Sequence, residues 1–489
     1  MRDVAVTAAS SVATVLSLVY VTRLLARGLG PEQFGAYGLS RRLLSTMTSL
    51  TSIPLCVGIA RYVALAREKR QQYSYLVSGM LLLAVCSLAL VGFALLFRRT
   101  VTVVIFHSLT YQSVLMASLL LYLAICSVSV VFAYYRGLSK MGQANFWNFV
   151  CLALVPLFVA RLYYRSGRLD LIVLLTALGT CVAVVPLVMQ LSRALSGPLT
   201  LRNHLTEMTG YVLPRVPGGL GFAGLMAIGP YLAGYLGSLT GAGYLVIGQS
   251  LVSITQTGTE SFGLVALPKV ASMMAENRSE FLNDRIADIT ALVVQVGIFI
   301  TLHLLLWADS IVLIWLGSEY AEAIAIVRLS VLGVVPFLAY SMLRSIVDAV
   351  EVRAVNTQNL FIAMFVTAAG SLFSMFVRGG LYGLAVANTL GWGVLGVLTV
   401  AFLWRRYKPP SYSARLVSST AICLALIVPE YALKQVMQNS VSGPMQLAAG
   451  AMFGVVAAVV YYFILRRLGI RWTRELEHRI VGSSRSVPS

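Results

Sequence analysis

The chain has 489 residues, of which 58% are hydrophobic and only 11% charged, and its mean hydropathy is +0.83. A water-soluble chain of this size carries about a quarter charged residues, so a soluble globular protein is excluded. The net charge of +19 does not signal nucleic-acid binding either, because no basic stripe interleaved with aromatics lies on a polar segment.

Apolar runs long enough to cross the hydrocarbon of a bilayer recur from end to end. Fourteen candidate spans lie near 4–26, 35–60, 74–97, 112–135, 145–164, 171–192, 210–235, 242–267, 286–307, 322–347, 355–377, 380–404, 415–437 and 444–465. The fold class is therefore an all-α integral membrane protein, since a transmembrane barrel shows short alternating segments instead. The N-terminal run reads as a span and not as a cleaved leader, because it is long and is followed by Arg23 and Arg27 where small residues are expected. The stretch 309–317 is apolar but too short to cross and reads as part of an external loop. After Arg467, arginines alternate with Ile470, Trp472, Leu476 and Ile480, the pattern of an interfacial helix attracted to anionic lipid.

With the N-terminus in the cytoplasm, the inner loops collect 23 Lys and Arg and the outer loops 9. That excess predicts a multi-pass protein of the plasma or inner membrane with both termini cytoplasmic. Five further basic residues, Arg41, Arg42, Arg215, Arg328 and Arg344, fall inside spans.

Spans two and eight echo each other. Arg41, Ser45, Thr48 and Ser52 are spaced to share one helical face. Adding 208 to each gives Gln249, Ser253, Gln256 and Glu260, and the same offset maps Gly35 onto Gly243 and Arg61 onto Lys269. The offset covers an even number of spans, so the repeat is parallel. The expected organisation is an N-terminal lobe of six spans over 1–200 and a C-terminal lobe of six over 201–410. Two extra spans follow over 411–466, and a basic cytoplasmic tail over 467–489. The outer turns of the repeat are Leu29-Gly30-Pro31 and Leu236-Gly237-Ser238.

An arginine at the centre of a span costs about 2.5–3.5 kcal/mol on insertion scales and is rarely left facing lipid. The bland outcome is snorkelling to a headgroup or pairing with an acid, and for Arg328, near a span end, that is the expectation. The first lobe has no Asp or Glu inside any span, with Glu32 at the edge of span two. Arg41 and Arg42 must therefore find water, an acid across a cavity, or an anionic ligand, and the guanidinium fork suits phosphate oxygens. Arg215 and Arg344 are grouped with them. Glu260, taken as the one acid deep in a span, reads either as a salt-bridge partner or as a coupling-ion site. A single Ser on a membrane helix is ordinary packing, whereas two faces of matched spacing suit a shared wet cavity.

Pro214-Arg215-Val216-Pro217 breaks span seven, and Pro54 and Pro336 are candidate kinks in spans two and ten. Gly219-Leu220-Gly221-Phe222-Ala223-Gly224 has the dinucleotide spelling but no strand before it, so close helix packing is expected. Six cysteines lie in apolar runs without a CxxC spacing, and four histidines are scattered. No metal site, cofactor site or nucleophile–base pair is expected.

Arg23-Leu24-Leu25-Ala26-Arg27-Gly28-Leu29-Gly30-Pro31-Glu32-Gln33-Phe34-Gly35-Ala36-Tyr37 resembles the first outer turn of polysaccharide-transporter flippases. Gly58-Ile59-Ala60-Arg61-Tyr62-Val63 does so too, as does Gly243-Tyr244 followed by Leu267-Pro268. Their superfamily also holds the lipid II flippases and the multidrug and toxic compound extruders. The resemblance implies two six-helix lobes around an alternating-access cavity, here with two added helices. It also implies export of an undecaprenyl-pyrophosphate-linked oligosaccharide, its lipid tail running beside spans one and eight. Cation extruders carry acids in the cavity, whereas this chain offers arginines. Relatives often carry an acid in span seven, where this sequence reads Ile228-Gly229-Pro230-Tyr231.

The resulting expectation is a flippase that breaks no covalent bond. Arg41, Arg42, Arg215 and Arg344 would engage the pyrophosphate, and Ser45, Thr48, Gln249 and Gln256 the sugar. Its partners would be the lipid-linked oligosaccharide, membrane lipids and a coupling proton or sodium ion, acting on a monomer without nucleic acid. The alternatives are a drug or metabolite antiporter on the same fold and a polytopic glycosyltransferase, which would need a large outer loop or an acidic metal site.

Overall fold

The longest helix opens the chain. In a computed structural model, which describes residues 2–193, 201–256, 279–351, 353–407, 413–438 and 443–467, α1 runs from Arg2 to Leu50 and is broken only at Gly30. Its 49 residues would measure about 73 Å at 1.5 Å per residue, more than twice the hydrocarbon thickness. Gly30, at φ 74° and ψ 170°, divides it into two segments of spanning length. Glycine takes that conformation without a Cβ clash, and Pro31 has no N–H to lose at the restart. The expected first outer turn is thus a break within one helix. The chain bends again at Thr51, whose φ of −119° and ψ of −71° separate α1 from α2 (Ser52–Leu65).

The described residues contain no strand. The chain continues through α3 (Lys69–Leu96), α4 (Arg98–Phe106) and α5 (Gln112–Gly137). Next, α6 (Met141–Phe149) passes through one π turn into α7 (Val155–Tyr163), followed by α8 (Leu169–Arg193). After α9 (Leu201–Val212), a 3₁₀ turn over Leu213–Arg215 leads into α10 (Val216–Tyr235). That turn is where Pro214 and Pro217 were expected to interrupt span seven. The second expected outer turn is also present. Gly237 at φ 78° closes α10, and the Ser238 hydroxyl accepts the Gly241 N–H at 2.8 Å, capping the helix over 239–256, α11.

Four helices follow: α12 (Ser279–Trp315), α13 (Ala323–Val331), α14 (Val334–Val350) and α15 (Val355–Phe376). The last three are α16 (Gly380–Tyr407), α17 (Ser413–Gln438) and α18 (Gly443–Arg467). The external loop expected over 309–317 is corrected, since α12 runs unbroken to Trp315. Span ten is bent by 44° between α13 and α14. The bend falls at Leu332-Gly333, ahead of Pro336, which sits in the first turn of α14.

Among the described residues, eleven helices are long and apolar enough to cross a membrane, or twelve with the bent pair counted as one span. The expected count of fourteen is not reproduced among the described residues. Spans one and two merge into Ala9–Leu50, and span eight runs past residue 256, beyond which the described stretch ends. The outward sides of these helices are apolar: on α3, Val85, Leu88, Phe93 and Leu96 are 59–77% exposed. Exposing such side chains to water costs about 25 cal/mol per Å², so the surface is matched to lipid. The chain is an all-α multi-pass membrane protein.

Residues gather into two compact units. One comprises Met1–Ser250 with Leu360–Gly391, the other Leu251–Asn359 with Trp392–Ser489. The first is drawn together by small residues at helix crossings, as is usual in membranes. A Cβ on Gly58 would touch Val212 at 3.1 Å, and one on Gly79 would overlap the Ile59 side chain. The second has an aliphatic core of Ile286, Leu343, Ile346, Val347, Val350 and Leu403. Beside it the buried Trp392 meets Phe337 edge-on with ring centroids 4.4 Å apart.

Candidate functional site

The C-terminal half of α1 packs closely on α10 and α11 because glycines remove the side chains between them. A Cβ on Gly35 would overlap the carbonyl oxygen of Leu239, and one on Gly38 would meet the Val246 side chain at 3.1–3.2 Å. From the other side, Gly219 faces the carbonyl of Ser49, Gly221 meets Leu360 and Gly224 meets the sulfur of Met364. The glycines with the dinucleotide spelling are thus a helix-packing stripe.

Arg42 lies on the α1 segment framed by these contacts. It is half-buried, and its Nε is fully enclosed without a hydrogen-bond partner. Tyr231 of α10 is the group near enough to act on its charge from outside α1, and the Tyr231 hydroxyl in turn meets Thr46. Three carboxylates of this unit are engaged elsewhere, and the exposed Glu68 is not among the groups acting on the Arg42 charge. Glu32 accepts from the Tyr111 hydroxyl at 3.2 Å, Glu207 from Tyr75 at 2.8 Å, and Asp170 from Arg168 at 3.1 Å. A partly enclosed guanidinium without a counter-charge is costly in a low-dielectric setting, and an anion bound there would relieve it.

The other sequence-derived candidates are placed as follows. Arg41 is exposed, with its guanidinium carbon 6.0 Å from the Tyr37 ring centroid. Ser45 and Thr48 are half-buried. The Thr48 hydroxyl donates back to the carbonyls of Leu44 and Ser45 at 2.9 and 3.0 Å, so only its lone pairs are open to a ligand. Gln249 is 2% exposed and donates to Asn388 Oδ1 at 3.3 Å. Asn388 in turn donates to the Leu225 carbonyl at 2.8 Å, so this amide chain ties α11, α16 and α10 together. Gln256 is half-buried at the end of the described part of α11. Glu260 lies outside the described residues.

Arg215 stands apart from Arg41 and Arg42 in its partners. Its Nη1 donates to the Tyr211 carbonyl at 2.6 Å, and its guanidinium lies 3.6 Å from the centroid of the Tyr211 ring. Arg61 approaches the same ring at 4.8 Å. Arg344 belongs to the second unit, where its side chain bonds the Tyr340 hydroxyl. The expectation for Arg328 holds in the sense that it approaches an acid, with Nη2 3.9 Å from Asp309 Oδ2.

One reading is corrected. Glu260 is not the sole acid deep in a span, because Glu430, inside α17, is fully buried. Asp309 is also within a helix and accepts Lys434 Nζ at 2.6 and 2.8 Å. The signal for Glu430 was an acid beside Pro429 in an otherwise apolar run; its partners, His303 and Trp307, lie more than a hundred residues away in sequence.

Comparison with known proteins places this geometry in context. Residues 1–198 match a family model described as polysaccharide biosynthesis protein. No curated protein matches the chain in sequence. Among solved structures the chain is similar to the lipid II flippase MurJ in an inward-closed conformation. The TM-score is 0.71 and the identity 12%, over 94% of this chain and 99% of that one. It is also similar to an inward-facing multidrug resistance MATE family transporter of the MOP superfamily, with a TM-score of 0.67, 14% identity and coverage of 82% and 98%. A third likeness is to a MOP superfamily transporter from Pyrococcus furiosus, described as having a binding pocket of reversed polarity. Here the TM-score is 0.54 and the identity 15%, with 83% and 96% covered. At such identities the likeness establishes the fold, which is shared with membrane flippases and transporters.

Proposed function

We propose that the chain is a flippase for a polyprenyl-pyrophosphate-linked oligosaccharide, moving the headgroup across the membrane by alternating access for cell-surface polysaccharide assembly. The observation that carries this reading is Arg42, a guanidinium with an enclosed, unpartnered Nε and no carboxylate paired with it among the described residues. A pyrophosphate supplies the missing charge, and its oxygens match the planar fork. Arg41, next to it on α1, adds a second cation, and Ser45 offers a polar contact for sugar. The family match over residues 1–198, which include both arginines, supports the same class of cargo. In this reading both termini are cytoplasmic, and the two sequence lobes over 1–200 and 201–410 alternate around the headgroup. No covalent bond is made or broken.

The test is complementation in a host lacking its own polysaccharide flippase. Arg42→Ala should abolish surface glycan while lipid-linked precursor accumulates, with membrane insertion normal. Arg42→Lys should rescue poorly, because lysine keeps the charge and loses the fork. Full surface glycan in the Ala variant overturns the reading. Saturable export of cationic dyes that survives Arg42→Ala would replace it with the drug-antiporter alternative.

A further inference from the structure

In the second unit a carboxylate and an imidazole confront each other inside the apolar part of the fold. Glu430 of α17 is 0% exposed. Its Oε1 accepts the indole N–H of Trp307 at 2.6 Å, and its Oε2 stands 2.9 Å from Nε2 of His303. Neither Oε2 nor Nε2 has a hydrogen-bond partner among the described residues, so the two atoms are close without being aligned as a hydrogen bond. The other imidazole nitrogen, Nδ1, lies 2.8 Å from the carbonyl oxygen of Phe299. A carbonyl only accepts, so Nδ1 is the donor and carries hydrogen. In a neutral His303 the Nε2 lone pair would then face the lone pairs of a carboxylate at 2.9 Å. That contact is repulsive unless a proton lies between the two atoms.

Neighbouring charges do not supply the missing partner. Lys434, one turn along α17, is engaged by both oxygens of Asp309 at 2.6 and 2.8 Å and by the Leu306 carbonyl at 2.6 Å. Arg328 of α13 reaches only Asp309, at 3.9 Å. The remaining titratable groups of this region are the buried Cys423 on α17 and Tyr461 on α18, which pack in one apolar cluster with Phe299. α18 closes over the site with glycines: a Cβ on Gly450 would stand 2.5 Å from the Trp307 ring, and one on Gly454 3.5 Å from the His303 ring. The Trp307 ring is thereby buried, while the His303 side chain stays 14% exposed. A carboxylate buried without a compensating proton or cation is strongly disfavoured.

We propose that His303 and Glu430 are a proton-binding site, holding one exchangeable proton between Nε2 and Oε2. Loaded, the pair is net neutral and holds α17 and α18 against α12. On release the proton passes from Nε2 to water, no other bond changes, and the bare carboxylate and imidazole repel. The route to water runs one turn along α17, about 6 Å, to the Asp309–Lys434 pair, where Asp309 is 27% exposed. Such a site gives the chain a means of linking a proton gradient to helix movement. It stands in the unit without Arg41 and Arg42, so it does not depend on which cargo those residues bind.

The experiment is infrared difference spectroscopy of the full chain in liposomes, with pH as the only variable. The wild type should show a titrating carboxyl or imidazole signal. Glu430→Gln, which keeps an acceptor for Trp307, should lose it. His303→Gln should lose it or move its midpoint, because the glutamine amide donates a fixed hydrogen to Oε2. Asp309→Asn should leave the signal in place. Unchanged spectra in Glu430→Gln and His303→Gln overturn the proposal, as does loss of the signal in Asp309→Asn alone. If Glu430→Gln fails to insert, His303→Gln decides by the same criterion, since it leaves the carboxylate and its Trp307 bond intact.

Discussion

Gly243 faces Gly35 with no room for a side chain between them: a Cβ on Gly243 would stand 3.0 Å from the Gly35 Cα. The two are related by the offset of 208 found in the sequence. The contact is reciprocal in kind. A Cβ on Gly35 would overlap the carbonyl oxygen of Leu239, one on Gly243 would stand 3.6 Å from the carbonyl oxygen of Pro31, and those partners are separated by the same offset. Equivalent positions touching each other is the signature of a self-complementary contact about a two-fold axis, here within one chain.

The two glycines should differ in tolerance. Gly35→Ala drives a methyl into the backbone carbonyl of Leu239, which cannot rotate away, and should destabilise by about 1–3 kcal/mol. Gly243→Ala meets its nearest atom at 3.0 Å and should cost clearly less. Thermal-inactivation midpoints of the purified variants in detergent check the order, and equal midpoints would contradict it.

Arg42 and Arg41 should also separate. An ionic hydrogen bond is worth about 1.5–3 kcal/mol, so Arg42→Ala should weaken binding of a soluble pyrophosphate-bearing headgroup analogue by about 10- to 100-fold. Arg41 is exposed and none of its nitrogens is enclosed without a partner, so the same substitution should cost about tenfold or less. Isothermal titration of the detergent-solubilised variants distinguishes the two.

Arg215→Ala should leave export near the wild-type level, in contrast to Arg42→Ala. Its guanidinium is held by its own helix through the Tyr211 ring and carbonyl, and losing a cation–π contact at an exposed site costs about 0.5–1 kcal/mol. A surface-glycan assay reads this out, and export as poor as in Arg42→Ala would place Arg215 at the headgroup after all.

Asn388→Ala removes both the acceptor for Gln249 and the donor to the Leu225 carbonyl. Leaving buried polar groups unmatched costs about 1–3 kcal/mol. The variant should therefore melt earlier than the wild type, and circular dichroism melts of the two proteins provide the comparison.

The spans themselves were legible because length and apolarity are local properties. So were the turns at Gly30 and Gly237, which both take positive φ. The misplaced loop at 309–317 shows where local reading stops. Asp309 looks like a boundary by itself, and only Lys434, 125 residues away, makes it compatible with a helix interior. Glu430 was passed over for the same reason, as its partners lie on α12. Arg215 has a partner of its own among the described residues. Tyr211 sits one helical turn before Arg215, a spacing at which side chains meet, so this partner was readable. Arg42 is the converse case: the lack of acids in its lobe was visible in the composition, and the unpartnered Nε follows from it.

The break at Gly30 leaves no slack in the chain, because α1 resumes its helical ladder at once on the far side. A corner built that way offers neither a protease cleavage loop nor room for an epitope tag. An insertion scan should therefore find this half-buried corner as intolerant as the core spans, and topology mapping of this part of the chain is better done by single-residue labelling than by inserted reporters.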